Sequence, residues 1–402
     1  MDMRELYPPS CTYSGCDRFA ERGTVAVSTP PQVDTGSGAP LDSPLEAGPM
    51  RPDPTDSLGL AAASRRAVVW GVALLVTVLV SALLACTIGP GGVSPLTSLE
   101  ILSHHLFGTP GQFAANQDAI VWNVRLPRVV MAVAVGAALA VSGAVLQAMV
   151  RNSLADPYVL GISSGASTGA AISILFGVGL GLGSYSLPVA AFVGAALACG
   201  LVLWIGRGGG TMRLLLAGVA VGYALSALTS FLVFASDSAE GSRSVMFWLL
   251  GSLSLSRWDG LLVVVVVVVA ASTALLWAWS PRIDVLAVGD GTARSVGVDP
   301  DSTRRRLLLV VSASTGVAVA ATGAIGFVGL VVPHLGRRLV GASHRRLLPT
   351  CALLGGLLLI CGDVAARMVM APRELPIGVV TALVGAPFLV ILVRNLGAKG
   401  MR

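Results

Sequence analysis

Few residues in this sequence could carry out covalent chemistry. No Ser/His/Asp constellation and no cluster of carboxylates is recognisable, and only four histidines are present. The phosphate-binding pattern Gly-x-x-x-x-Gly-Lys-Ser/Thr is absent, since the only lysine is Lys399, which is followed by Gly400. His104 and His105 lack carboxylate neighbours in the sequence, so they do not predict a metal site. The sequence therefore predicts a protein that moves something, not an enzyme, and one that binds no cofactor or metal itself.

The composition indicates where such a protein resides. Hydrophobic residues make up 54% of the chain and charged residues only 12%, whereas about 25% of an ordinary soluble domain is charged. So few charges cannot cover a water-facing surface, which excludes a soluble enzyme, a disordered scaffold and a secreted disulfide-rich domain. We predict an all-α membrane protein, because a single spanning segment satisfies its backbone hydrogen bonds only as a helix.

Uncharged stretches predict the membrane spans, because a charge at the bilayer centre costs roughly 2.5–3.5 kcal/mol. The first stretch contains one span, about 67–86, and the stretch 157–206 contains two, separated by Gly-rich sequence near Gly177–Pro188. The uncharged stretches are 67–99, 129–150, 157–206, 214–236, 260–281, 307–336, 347–362 and 375–393.

The stretch 307–336 does not fit a simple crossing. Its 30 residues would form about 45 Å of helix, too short for two full crossings. One crossing would place Arg337, Arg338, Arg345 and Arg346 outside, against the positive-inside rule. We expect one full span and a short, buried return helix, with the break within 322–329. Such breaks mark transport pathways, and this one brings the total to ten transmembrane helices.

The basic residues predict the orientation. With the N-terminus in the cytoplasm, 21 of the 27 basic residues lie inside and both termini are cytoplasmic. The six outside are Arg125, Arg128, Arg243, Arg257, Arg367 and Arg373.

The first 64 residues differ from the rest of the chain. They hold four arginines and nine acidic residues, a net charge of −5, whereas residues 65–402 have a net charge of +11. Their Pro-, Gly- and Ser-rich composition predicts a disordered cytoplasmic extension. Met50 is an alternative start, in which case 1–49 would not be translated. Residues 65–402 are predicted to form the membrane domain.

Several motifs in this domain occur together in one family. In combination they resemble the FecCD-type permeases of binding-protein-dependent ABC importers for iron–siderophores, haem and vitamin B12, over about 66–396. The motifs are RLPR at 125–128 leading into VGAALAVSGAVLQ at 135–147, RNSLADPYVLGISSGA at 151–166, LLLAGVA at 214–220, GAIGFVGLVVPH at 323–334 and ELPIGVVT at 374–381.

The resemblance implies a passive permease in the cytoplasmic membrane of a bacterium. It would pair with a second permease subunit, identical or paralogous, around a pathway at their interface. Two separate ATP-binding subunits would hold ATP and Mg²⁺, an extracytoplasmic lipoprotein would deliver the cargo, and no nucleic acid would take part. A stand-alone secondary carrier or channel is the alternative, disfavoured because no span has a midplane acid.

The resemblance also implies an outer docking pocket. Arg125, Arg128 and Arg367 would receive acidic residues of the binding protein, because a guanidinium pairs bidentately with a carboxylate. Arg367 is expected to be exposed near the end of its helix, with Asp363 orienting it. The alternative for Arg125 and Arg128 is interfacial anchoring.

On the cytoplasmic side, residues 281–303 resemble the coupling loop that docks on the ATP-binding subunit. An ordinary solvated loop is the alternative. The residues assigned to it are Leu286, Ala287, Gly289, Asp290, Ala293, Arg294, Val296 and Gly297.

Asn152, Leu154, Thr211 and Met212 match the cytoplasmic gates of the family. Helix capping by Asn152 and Thr211 is the alternative. The expected cargo is an iron(III)–siderophore chelate, the commonest in the family, with cobalamin or haem as alternatives.

Overall fold

The computed structural model describes residues 60–208 and 210–400, so the predicted extension up to residue 59, with the alternative start at Met50, lies outside the described residues. In the described part every regular element is helical, which confirms the all-α prediction. The α-helices are α1 Leu60–Thr87, α2 Pro95–Phe107, α3 Ala115–Asp118, α4 Leu126–Val150, α5 Ile162–Phe176, α6 Ser186–Ile205, α7 Gly210–Phe234, α8 Ala239–Leu249, α9 Gly260–Ala278, α10 Ser280–Val288, α11 Asp290–Ser295, α12 Pro300–Thr322, α13 Val328–Val340, α14 His344–Met368 and α15 Ile377–Gly400.

Ten of these helices correspond to the predicted spans. Seven helical runs among the described residues are long and apolar enough to cross a membrane, and they contain α1, α4, α6, α7, α9, α12 and α14. Two more apolar helices, α5 and the part of α15 over Ile377–Leu392, are shorter, and α13 is the expected short helix. How many of the ten cross the bilayer stays a prediction. Helix α1 begins at Leu60, five residues before the predicted domain start, because alanine and leucine favour helix.

The interruption between α12 and α13 falls where the sequence predicted it. The backbone turns at Gly323 (φ 73°) and at Phe327, whose φ of 69° is left-handed. The Tyr158 hydroxyl accepts a hydrogen bond from the Ile325 N–H (2.9 Å) and donates one to the Ile325 carbonyl (3.0 Å). The Ser252 N–H donates to the Thr322 carbonyl at 2.7 Å. Protein groups thus satisfy the broken backbone, as membrane depth requires.

Glycines bring helix backbones into direct contact. A Cβ atom on Gly136 of α4 would overlap the Gly355 carbonyl of α14. Gly165 and Gly169 of α5 likewise face the carbonyls of Gly194 and Ala190 on α6. Small residues permit this close approach of helices in a membrane. The contacts fix α4 against α14, the two helices whose ends carry the charged clusters described next.

Candidate functional site: charged clusters at the two ends of the helix bundle

Arg125 and Arg367 bind the C-terminal end of α1. We call this end of the bundle, which the charge pattern places outside, the outer end. The Arg125 guanidinium donates to the carbonyls of Cys86 (2.9 Å), Thr87 (3.2 Å), Gly89 (3.0 Å) and Pro90 (3.1 Å). Arg367 donates to those of Ala85 (3.2 Å) and Ile88 (3.1 Å). A helix C-terminus leaves its last carbonyls without intrahelical partners. The two guanidinium groups supply the missing donors.

Arg128 ties α4 to α14 and to the segment before α15. Its Nε donates to Asp363 Oδ1 at 2.5 Å, and its Nη1 donates to the Glu374 carboxylate at 2.9 and 3.0 Å. The second Asp363 oxygen lies 3.0 Å from Arg367 Nε. Arg128 and Arg367 thus share two carboxylates, whereas Arg125 pairs with carbonyl oxygens. The three arginines and two carboxylates together have one net positive charge.

The structure brings the three predicted docking arginines together but buries them. Arg125, Arg128 and Arg367 are 3%, 4% and 4% exposed. The expected exposure of Arg367 is therefore wrong, because its side chain turns inward to the α1 carbonyls and Asp363. The exposed part of the cluster is Glu374, whose side chain is 37% exposed. Glu374 begins the motif ELPIGVVT at 374–381, but nothing in the sequence predicts that it pairs with Arg128.

At the opposite, inner end, the predicted coupling loop consists of α10 and α11. Leu286 and Ala293 are fully buried and Gly289 is buried too, so these three hold the loop to the bundle. The buried position of Leu286 differs from the expectation that it faces a partner. Ala287 and Asp290 are half-buried. Three of the predicted residues face outward, namely Arg294, Gly297 and Val296 (59% exposed). Val288, which was not predicted, is 70% exposed.

Asp290 links α11 to neighbouring helices. Its carboxylate pairs with Arg304 of α12, whose side chain is buried, and lies 3.4 Å from Arg151 at the end of α4. The hydrogen bond from Arg304 keeps the pKa of Asp290 below its usual value, with the positive charges of Arg304 and Arg151 acting in the same direction. Asp290 is therefore an anionic tie within the loop.

The predicted gate residues occupy two places at the inner end. Asn152 directly follows the left-handed Arg151 (φ 52°) that ends α4, and its side chain accepts a hydrogen bond from the Leu154 N–H at 2.9 Å. Leu154 is 40% exposed, and Met212, near the start of α7, is 68% exposed. The Thr211 hydroxyl is buried without a partner, so it does not cap α7. The Asn152 side chain stabilises the turn in which it lies, which is compatible with both a gate role and a capping role.

A cavity of about 470 Å³ lies between Asn152, one of the predicted gate residues, and α10 of the predicted coupling loop. Arg151, Asn152 and Ser153 line one part, while Asp284, Ala287 and Val288 of α10 line another. His344 of α14 and Arg337 of α13 complete the wall. The coupling loop and the predicted gate segment after α4 are therefore neighbours around one polar space.

One of the two outer histidines, His105, lies next to a carboxylate in the folded chain. His105 Nε2 lies 2.7 Å from Asp118 Oδ1, and its ring stacks on Trp122 with 4.1 Å between centroids. His104 Nδ1 instead lies 2.7 Å from the Thr109 carbonyl oxygen. Within 60–208 and 210–400, no three His, Cys, Asp or Glu side chains are grouped to hold a metal ion.

Comparison with known proteins identifies this arrangement. The model of the FecCD transport family matches residues 74–395. The chain belongs to the FecCD transport family. Both the break between α12 and α13 and the α10–α11 loop lie within the matched residues.

Relatives in this family carry different cargo names. The cobalamin import system permease protein BtuC of Halobacterium salinarum is 40% identical over 374 residues, which cover 84% of this chain and 99% of the relative. The hemin transport system permease protein HmuU of Yersinia pestis is 42% identical, covering 68% and 83%. The Fe(3+)-citrate import system permease protein YfmD of Bacillus subtilis is 36% identical, covering 77% and 89%.

A solved structure shares the fold. An inward-facing metal-chelate type ABC transporter matches with a TM-score of 0.71 and 32% identity, covering 81% of this chain and 98% of that chain. Together with the FecCD match, this decides between the two classes that the sequence left open. The chain is a multi-pass membrane permease of the ABC importer type, not a stand-alone carrier or channel.

Proposed function

We propose that this FecCD permease imports an iron(III)–siderophore chelate across the cytoplasmic membrane of a bacterium. An extracytoplasmic binding lipoprotein delivers the chelate, and two separate ATP-binding subunits, which hold ATP and Mg²⁺, supply the energy. A second permease subunit completes the pathway. Support for a metal chelate comes from the solved relative of that type and from the relatives named for hemin and Fe(3+)-citrate.

The observation that carries the proposal is the interruption at 323–327. The uncharged stretch 307–336 predicts that it lies at membrane depth. Tyr158 hydrogen-bonds to its backbone, and Ser252 hydrogen-bonds to the Thr322 carbonyl just before it. Non-helical backbone is retained at this depth where it borders a cavity or a packed pathway. A helix whose only role was to cross the membrane would not need it.

The outward face of α7 gives separate support for a pathway. Tyr223, near the middle of α7, is 76% exposed, and Ser226, also exposed, shares a hydrogen bond of 3.1 Å with Ser164 of α5. A phenol hydroxyl facing lipid would lack a hydrogen-bonding partner, at a cost of about 1–3 kcal/mol. We infer that this face borders water, cargo or the second permease subunit.

We keep the roles expected for three sets of residues and adjust which residues make the contacts. At the outer end the binding protein docks over the cluster of Arg125, Arg128 and Arg367. Its exposed member is the Glu374 carboxylate, so the group that meets it is a hydrogen-bond donor and not a second carboxylate. The ATP-binding subunit meets the coupling loop at the outward-facing residues, which are Val288, Arg294, Val296 and Gly297. The cytoplasmic gate consists of Asn152, Leu154, Thr211 and Met212.

Cobalamin is the second candidate cargo. The observation that favours it is the match to the cobalamin permease of Halobacterium salinarum, which extends over 99% of that relative. The hemin relative has similar identity over a shorter alignment, so overall identity does not select the cargo.

Uptake measurements test the assignment. A strain lacking this chain is supplied with labelled ferric siderophore, haem or cobalamin, and each uptake is compared with the same strain carrying the gene. We expect loss of ferric siderophore uptake only, with recovery on complementation. Loss confined to cobalamin or to haem would overturn the iron assignment while retaining the importer. Uptake unchanged for all three would overturn the proposal for these cargoes.

A further inference from the structure

An acidic residue of the coupling loop caps the start of α14. Asp284 of α10 accepts a hydrogen bond from the backbone N–H of His344, the first residue of α14, at 2.9 Å. The same carboxylate oxygen lies 2.6 Å from His344 Nδ1, and the other oxygen accepts from the Ser343 hydroxyl at 3.4 Å. A helix N-terminus has free N–H groups and favours a negative charge. The cap of α14 is thus supplied by another helix.

This connection is tighter than the one between the coupling loop and the gate. His344 is 4% exposed, and its Asp284 partner is 38% exposed at the side chain, so water reaches only the Asp284 side of the pair. By contrast, Asp290 lies 3.4 Å from Arg151, whose side chain is 44% exposed. The cavity of about 470 Å³ separates α10 from Asn152. A displacement of α10 therefore acts directly on the start of α14, through the hydrogen bonds of Asp284.

Helix α14 then reaches the outer cluster without a break. Its 25 residues extend about 37 Å at 1.5 Å per residue. Near the middle, Gly355 touches the backbone of Gly136 on α4, and near the far end Asp363 and Arg367 join the outer cluster. One continuous helix thus connects the coupling loop with the three arginines.

We propose that Asp284 and His344 form the joint through which movement of the coupling loop reaches α14 and, along it, the outer end. The two are positioning residues, which contact neither cargo nor nucleotide. This inference rests on the proposed function as a permease driven by a separate ATP-binding subunit.

The readout is the cargo imported per ATP hydrolysed. The whole complex is reconstituted in liposomes with its ATP-binding subunits and binding protein, and both quantities are measured with the cargo identified by the uptake tests. For His344→Ala we expect the ratio to fall about tenfold, the effect of losing one charge-assisted hydrogen bond. His344→Asn places an amide donor close to the position of Nδ1 and should recover most of the ratio. A purely structural role would instead reduce assembled complex and leave the ratio unchanged.

A double-mutant cycle isolates the pair. Asp284→Ala, His344→Ala and the combination of both should lower the ratio equally, because either substitution already removes the joint. Asp237→Asn is the matched control, since that carboxylate is exposed and lies outside the coupling loop. Its ratio should equal that of wild type. If His344→Ala does not assemble, the isosteric Asp284→Asn replaces it in the same measurement.

Two outcomes overturn the joint: an assembled variant with the wild-type ratio, or losses from the two single variants that add independently. These are distinguishable from failure of the proposed function. If the wild-type complex showed no ATP-dependent uptake of any of the three cargoes, the proposed function would fail. If wild type transports and the Asp284 and His344 variants transport equally well per ATP, only the joint fails.

Discussion

Arg128 Nε donates a hydrogen bond to Asp363 Oδ1 at 2.5 Å, and the two side chains are 5% and 2% exposed. The pair joins the start of α4 to the end of α14. It lies in a cluster that also contains Arg367 and Glu374. Charged groups buried in this way stabilise a fold only while each keeps its partner.

We expect Asp363→Asn to destabilise the isolated permease strongly. Removing the carboxylate charge leaves Arg128 and Arg367 buried beside each other, which should cost about 3–5 kcal/mol in the free energy of unfolding. The measurement is the unfolding transition in detergent. Glu374→Gln is the comparison, because Glu374 is 37% exposed, water screens part of its interaction, and Arg128 keeps Asp363; we expect a smaller loss than for Asp363→Asn. Equal effects from the two variants would contradict burial as the cause.

Arg125→Lys should weaken the permease before any binding protein is present. Arg125 donates to four carbonyls at the end of α1. A lysine ammonium has three donors at one point and cannot reproduce that fork. We expect a loss of about 1–3 kcal/mol in the free energy of unfolding, against none for Arg257→Lys, whose side chain is exposed. A variant of unchanged stability with weaker binding-protein affinity would show that Arg125 acts in docking alone.

Gly136→Ala should disrupt the contact between α4 and α14. The added methyl group would overlap the Gly355 carbonyl, and such overpacking costs typically about 1–3 kcal/mol or more. Gly71→Ala on α1 is the matched control, because a Cβ there has no heavy atom within 4 Å. We expect a lower unfolding temperature and lower yield for Gly136→Ala only. Similar values for both variants would show that the helices separate easily.

The stabilising contribution of Asp290 should depend on pH. Because the hydrogen bond from Arg304 lowers its pKa in the folded protein, the contribution is complete above the unfolded pKa of about 3.9. It disappears as the pH falls through the lower, folded value. The gap in unfolding temperature between wild type and Asp290→Asn should therefore be constant from neutral pH to about 4 and shrink below it. A gap that stays constant at lower pH would contradict this assignment, and Asp301→Asn serves as the control for general acid effects.

A cysteine at position 223 should be reached from water. In a background lacking all six native cysteines, we expect Tyr223→Cys to react with a membrane-impermeant thiol reagent in the assembled importer, and bound cargo to slow the reaction. Val264→Cys on α9 is the control, because Val264 is 50% exposed on an otherwise apolar helix and should face lipid. If both cysteines were equally unreactive, position 223 would lie in lipid or in a dry interface.

The helices and the interruption were accessible from the sequence because they depend on local properties. Charge-free runs delimit the apolar helices, and the length of 307–336 together with the positions of its flanking arginines predicted the break between α12 and α13. The short helices α2 and α8 were not predicted, because they contain charged residues and are too short to span the membrane.

The pairing of the buried charges with one another could not be predicted in the same way. Arg128 and Asp363 are separated by 235 positions, so no local pattern connects them. Nor does the sequence show which surface the apolar side chain of Leu286 packs against. The sequence identifies it as one of the apolar residues of this loop, but only the packing shows that it faces the chain's own core and not a partner.

The outer cluster has a consequence for cargo choice. Its arginines are occupied with the end of α1, with Asp363 and with Glu374, so they hold the same frame whichever cargo passes. Selectivity must then depend on side chains that the frame leaves free, such as those on the outward face of α7. A permease of this design could therefore change its cargo through a few substitutions on that face while its scaffold stays the same.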